Sequence, residues 1–147
     1  MDRLTIKAAL TVLVLFVAPL YSEAVEWAAV GYGTMPDSTK FNVFIDTDSI
    51  KEASGQMNFW QGHVFSSAQP LPNGNSYLRI SILRSVNCSA NTDGSLEAVF
   101  YGADGSIVDS YSVKERKLTK NPVEEGTISD AVMKFVCGSG DEENLEN

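Results

Sequence analysis

Cysteine and histidine are scarce in this sequence, with two cysteines and one histidine in 147 residues. A zinc centre needs about four His, Cys or carboxylate ligands at paired spacings, and Cys88, Cys137 and His63 include no Cys-x-x-Cys. A serine-based triad would have to recruit His63, and no Gly-x-Ser-x-Gly elbow is present. Gly31 and Gly33 lack the third glycine and following helix of a phosphate loop. No catalytic residue, metal site or cofactor is therefore expected. Bases are also few: 11 Lys and Arg stand against 19 Asp and Glu, for a net charge of −8. Such a chain repels a phosphate backbone, which disfavours general nucleic-acid binding. A membrane-spanning run is missing too, because the apolar stretch Ala8–Val17 falls well short of the ~20 residues a bilayer core requires.

That short stretch has another use. Arg3 and Lys7 precede it, Pro19 breaks it, and Ser22-Glu23-Ala24 follows with small residues at the two positions a signal peptidase reads. Residues 1–24 are expected to be a signal peptide cleaved between Ala24 and Val25, and no cysteine near that site offers a lipid anchor. The leader carries two bases and two acids (Arg3, Lys7; Asp2, Glu23), so its removal leaves the net charge unchanged. The expected product is one domain over residues 25–138, followed by a disordered acidic tail over 139–147 that holds Asp141, Glu142, Glu143 and Glu146. An oxidising destination makes Cys88 and Cys137 a disulfide. Closing that loop of about 49 residues stabilises the fold by roughly 4 kcal/mol on the chain-entropy account.

Alternation dominates residues 27–113. Trp27–Tyr32, Phe41–Asp46, Met57–Phe65, Tyr77–Cys88, Leu96–Tyr101 and Ser106–Val113 read as strands, and Gly102-Ala103-Asp104-Gly105 reads as a hairpin loop. In the fourth strand one parity holds Leu78, Ile80, Ile82, Arg84, Val86 and Cys88, which predicts a buried face with Cys88 directed into the core. The period then changes. Thr127 followed by Asp130 is a capping signal, and Ile128, Ala131, Val132, Phe135 and Val136 define one apolar face of a helix ending at Gly138. The expected class is α+β: an antiparallel sheet of about six strands with a C-terminal helix packed on one face and tethered by the disulfide.

The remaining polar features are modest. Asp46-Thr47-Asp48 lacks the glycine and distal glutamate of a calcium loop and reads as a solvated strand end. Asn87-Cys88-Ser89 matches a glycosylation sequon by chance, since a disulfide occupies its centre. His63 shares its parity with Met57 and Phe59, as a half-buried strand residue would. Lys114, Arg116, Lys117 and Lys120 form the one dense basic stretch. It reads either as charge protecting a strand edge or as a patch for a sulfated glycan or an acidic protein segment.

The order of these residues resembles a known family. Trp27, Phe44-Ile45-Asp46, Asp48-Ser49-Ile50, Phe59-Trp60 and a strand closing on Cys88 are followed by Tyr101, Asp104-Gly105, Ser110, Pro122, Gly126-Thr127 and Cys137. Together they resemble the bacterial surface-adhesin protein E-like domain, over about residues 27–137. The resemblance implies an antiparallel sheet with a disulfide-held C-terminal helix, a Gram-negative envelope setting, and adhesion to host proteins. A lipid-anchored adhesin would carry a cysteine at the mature N-terminus, where this chain has Val25. Two readings follow. The first is an exported, non-catalytic module binding a protein or glycan through its exposed sheet face or the basic stretch. It would be periplasmic or secreted, with the cell surface as an alternative. The second is an envelope housekeeping or assembly protein without a host ligand.

Overall fold

The computed structural model describes residues 25–114 and 117–138. The segment expected to be a signal peptide (residues 1–24), Arg116 and the expected acidic tail lie outside the described residues. The chain runs β1 (Trp27–Thr34), β2 (Lys40–Asp46), a 3-10 turn (Thr47–Ser49), β3 (Lys51–Ala53), β4 (Gln56–Pro70), β5 (Ser76–Asn87), β6 (Thr92–Tyr101), β7 (Ile107–Ser112), β8 (Asn121–Pro122) and α1 (Ile128–Gly138).

All strands join one curled antiparallel sheet in the order β1-β2-β4-β5-β6-β7. Short connections between consecutive strands leave antiparallel neighbours as the natural arrangement. The β6–β7 hairpin turns at Gly105, whose φ of +82° is open to glycine and strained for other residues. Asp104 Oδ1 accepts the Ser106 backbone N–H at 3.0 Å and completes that turn. The two strands not expected from sequence extend longer ones: β3 pairs with β4 beyond the end of β2, and β8 pairs with β6 at Thr92 and Asp93. Both are too short to show alternation.

One face of the sheet carries the core. Val43, Ile45, Phe59 and Val86 are buried there beneath Val132, Met133 and Val136 of α1, with Val123 closing the side. The helix begins as its sequence indicates: Thr127 Oγ1 accepts the Asp130 backbone N–H at 3.2 Å. Asp130 returns a contact to the Gly126 N–H at 2.9 Å, one residue before the position a capping box would use. The buried stripe is rotated from the expected one. Met133 is buried and Ala131 exposed, because the helix lies across twisted strands and the larger side chain fills the gap.

Cys88 and Cys137 are bonded, with Cα atoms 5.9 Å apart. The expected placement of Cys88 needs correction. It stands just past the end of β5 and is exposed, while Cys137 packs against the core. The strand's parity stops governing once the chain turns at residue 88. Arg84, the polar member of the buried parity, is inside the fold because Asp93 pairs with it and Ser95 Oγ accepts from it at 3.1 Å. A partnered guanidinium tolerates that burial.

Candidate functional site: an aromatic cleft on the helix-free face

Strand register assembles the opposite face. Phe44 pairs with Gly62, Gly62 with Ser81, and in the adjacent row Val64 pairs with Arg79 and Arg79 with Tyr101. Side chains in register stand side by side, so these residues share one surface although they come from β2, β4, β5 and β6. Trp27 joins them from β1, opposite Asp46. Together Trp27, Phe44, Gly62, Val64, Arg79, Ser81 and Tyr101 line a cleft of about 410 Å³. It continues into a smaller hollow of about 170 Å³ bounded by Val25, Asp46 and Trp60, with Trp27, Ser81 and Tyr101 common to both.

The floor is small by necessity. A Cβ on Gly62 would meet the Trp27 ring at 3.2 Å, so the bare glycine lets the indole lie against the sheet. Trp27 stays 43% exposed, which leaves ring surface for a ligand. At the far side the Arg79 guanidinium stacks over the Tyr101 ring at 4.4 Å, a cation–π contact that fixes its plane. Arg79 has no ion pair or hydrogen bond among the described residues, so its N–H edges are unclaimed. At the other end Asp46 uses Oδ1 to accept the Asp48 N–H at 3.1 Å, capping the 3-10 turn. The cleft is thus polar at its two ends, with one base and one acid, and aromatic between them.

The basic stretch is not held together as one patch. Lys114 and Lys117 are exposed. Lys120 turns inward, donating from Nζ to Gln56 Oε1 and to the Ser85 hydroxyl and carbonyl oxygens at 3.0 and 3.3 Å. His63 lies on the helix side, stacked on Phe41 with ring centroids 5.4 Å apart. The Gln61 amide nitrogen donates to its Nε2 at 2.6 Å. Burial, and secondarily the Arg84 charge, pushes its pKa from 6.5 down to about 4. It stands on β4 between the cleft residues Gly62 and Val64, but alternation turns it to the opposite face. Among the described residues no cluster of His, Cys, Asp and Glu could hold a metal ion, and no helix is long and apolar enough to cross a membrane.

A one-layer antiparallel sheet, covered on one side by a disulfide-tethered terminal helix and open on the other, defines an adhesin-like α+β module. The chain belongs to the surface-adhesin protein E family, whose sequence model matches residues 27–138. The fold is similar to that of Haemophilus influenzae protein E in two solved structures. One has a TM-score of 0.50 and 13% identity, covering 66% of this chain and 77% of that one. The other, crystal form II, has a TM-score of 0.50 and 15% identity, covering 74% and 88%. Comparison with curated protein sequences gives no match.

Proposed function

We propose that this protein is an exported, non-catalytic binding module of the surface-adhesin type, released from its leader between Ala24 and Val25, and that its ligand docks on the helix-free face of the sheet. The observation that carries this reading is the cleft itself. Aromatic surface left open beside a guanidinium that has no ion pair among the described residues is characteristic of a recognition site, because stability alone would favour covering the one and pairing the other. Membership of a surface-adhesin family supports an extracellular or surface setting. The exposed Lys114 and Lys117 offer a second, weaker contact for an acidic protein segment.

The test has two parts. Mass spectrometry of the exported protein should find Val25 at its N-terminus. Cells producing Trp27→Ala or Tyr101→Ala should adhere less to surfaces coated with extracellular matrix than cells producing the unaltered protein at equal level. Undiminished adherence by both variants would remove the cleft from the account. The presence of Val25, rather than a lipid-bearing cysteine, after the small-x-small site favours one competitor: a periplasmic assembly role. That role would be supported by protein that protease cannot reach on intact cells.

A further inference from the structure

We infer that the cleft is a subsite for an acidic sugar, a pyranose ring carrying a carboxylate. This rests on the reading that the helix-free face binds ligand, and specifies what it binds.

Three properties of the lining lead to this class. The first is shape. The walls are flat rings, Trp27, Trp60, Phe44 and Tyr101, around a floor kept low by Gly62 and Ser81. A volume of about 410 Å³ lies within the ordinary range of small-ligand sites, about 300–1,000 Å³. Such a trough suits a flat, rigid ligand better than a branched aliphatic side chain. A pyranose presents a face of C–H groups, weakly positive, that packs on the negative face of an aromatic ring.

The second property is charge. Arg79 is the one base among the lining residues, and its guanidinium is held in plane by Tyr101 with its donors free of hydrogen bonds and ion pairs among the described residues. A planar fork with unclaimed N–H groups matches a carboxylate in two parallel hydrogen bonds. In a chain of net charge −8, the cleft thus places a base that has no ion pair among the described residues beside its aromatic walls. Cleavage after Ala24, as proposed above, would add an α-amino cation on Val25, a residue that lines the hollow.

The third property is polarity along the trough. Arg79 stands at one end, the Ser81 hydroxyl in the middle and Asp46 at the other. Asp46 keeps Oδ2 outside its capping bond. A carboxylate at Arg79, a ring over the aromatic walls and hydroxyls donating to Asp46 fit in that order. A hydrocarbon ligand would leave both ends unpaired, and a polyanion would meet Asp46.

The test titrates the processed protein with an oligosaccharide alternating glucuronate and N-acetylglucosamine, and with the same oligosaccharide after its carboxylates are reduced to alcohols. The acidic form is expected to shift the backbone amides of Gly62, Ser81 and Tyr101 and to quench tryptophan fluorescence. The reduced form should bind roughly tenfold or more weakly, the loss of a charge-assisted pair. Arg79→Gln should lose the same factor, and Arg79→Lys, which keeps the charge without the fork, should recover only part of it. Trp27→Ala should weaken both forms. Unfolding midpoints of the variants report whether each still folds, and the reduced ligand probes the charge with no variant at all. Equal binding of the two forms would overturn the carboxylate while leaving the cleft as a site. Binding that Arg79→Gln and Trp27→Ala both leave unchanged would place the sugar elsewhere and overturn the inference. A peptide that moves these amides where neither oligosaccharide does would overturn the sugar and keep the binding face. If neither sugar nor matrix protein moves them, the inference and the proposed function fall together.

Discussion

The Ser49 hydroxyl accepts the backbone N–H of Trp60 at 2.8 Å and donates to the Asp46 carbonyl at 2.7 Å. A side chain thereby occupies the place where β2, turning away after Asp46, stops supplying β4 with acceptors. It also fixes the strand position from which Trp60 reaches the cleft. Ser49→Ala leaves that partly buried N–H without its partner and should cost about 1–2 kcal/mol. Hydrogen exchange at the Trp60 amide should accelerate, and a urea midpoint equal to that of the unaltered protein would contradict the assignment.

Gly62→Ala separates binding from folding. The added methyl meets the Trp27 ring at 3.2 Å, and an exposed indole can move away by a few tenths of an ångström. Stability should change by less than about 1 kcal/mol, since alanine is also the less flexible residue in the unfolded chain. Ligand affinity should fall several-fold as the indole leaves its platform. A variant that binds normally would show that Trp27 does not need that position.

Reduction reaches the disulfide from the Cys88 side, because that residue is exposed. Native protein should therefore be reduced by mild thiol without prior denaturation, and the Cys88→Ser, Cys137→Ser variant should lose up to about 4 kcal/mol. Thermal melting with and without reductant measures the loss. A midpoint unaffected by reduction would mean that helix packing alone holds α1 in place.

Stability should fall at acid pH through His63. Its folded pKa of about 4 lies below the ordinary 6.5, so the unfolded chain takes up a proton near pH 6.5 that the folded site refuses. The contribution is full above the unfolded value, declines as pH drops from 6.5 toward 4 and is level below that. The total is on the order of 3 kcal/mol. His63→Phe removes the ionisation while keeping a ring against Phe41 and Phe65. Urea unfolding at neutral pH and near pH 4.5 should show a smaller loss in the variant, and equal losses would refute the role of His63.

Lys120 should behave unlike Lys114 and Lys117. Lys120→Met strips Gln56 and Ser85 of their donor and should destabilise by about 1–3 kcal/mol. Lys114→Ser and Lys117→Ser, at exposed positions, should each stay within about 0.5 kcal/mol. Chemical denaturation of the three variants checks the contrast.

Alternation revealed the long strands because each buries one side of a sheet, and the helix announced itself through Thr127 and its apolar spacing. Where burial is not periodic, sequence fell short. The β4 strand continues past Phe65 through Ser66-Ser67-Ala68-Gln69 to Pro70, a stretch with no apolar side to mark it. β8 is two residues long and includes Pro122, which offers no N–H. The cleft was legible only in part. The parity of Arg79 and Ser81 already set them apart from the buried residues of β5. Their meeting with Trp27, Gly62 and Tyr101 depends on register across five strands, and register is a property of pairing that no single segment carries. The four-base stretch illustrates the converse, since proximity along the chain did not keep Lys120 with its neighbours.

The link from Cys88 to Cys137 makes everything between them, β6, β7, β8 and most of α1, a covalent ring hung from the end of β5. A trypsin-like enzyme acting after the exposed Lys114 or Lys117 would cut that ring once without releasing a fragment. The two pieces would migrate as one molecule until a reductant is added. A host or envelope protease could thus nick this protein and leave β1 to β5, which supply every cleft residue except Tyr101, still joined to the rest.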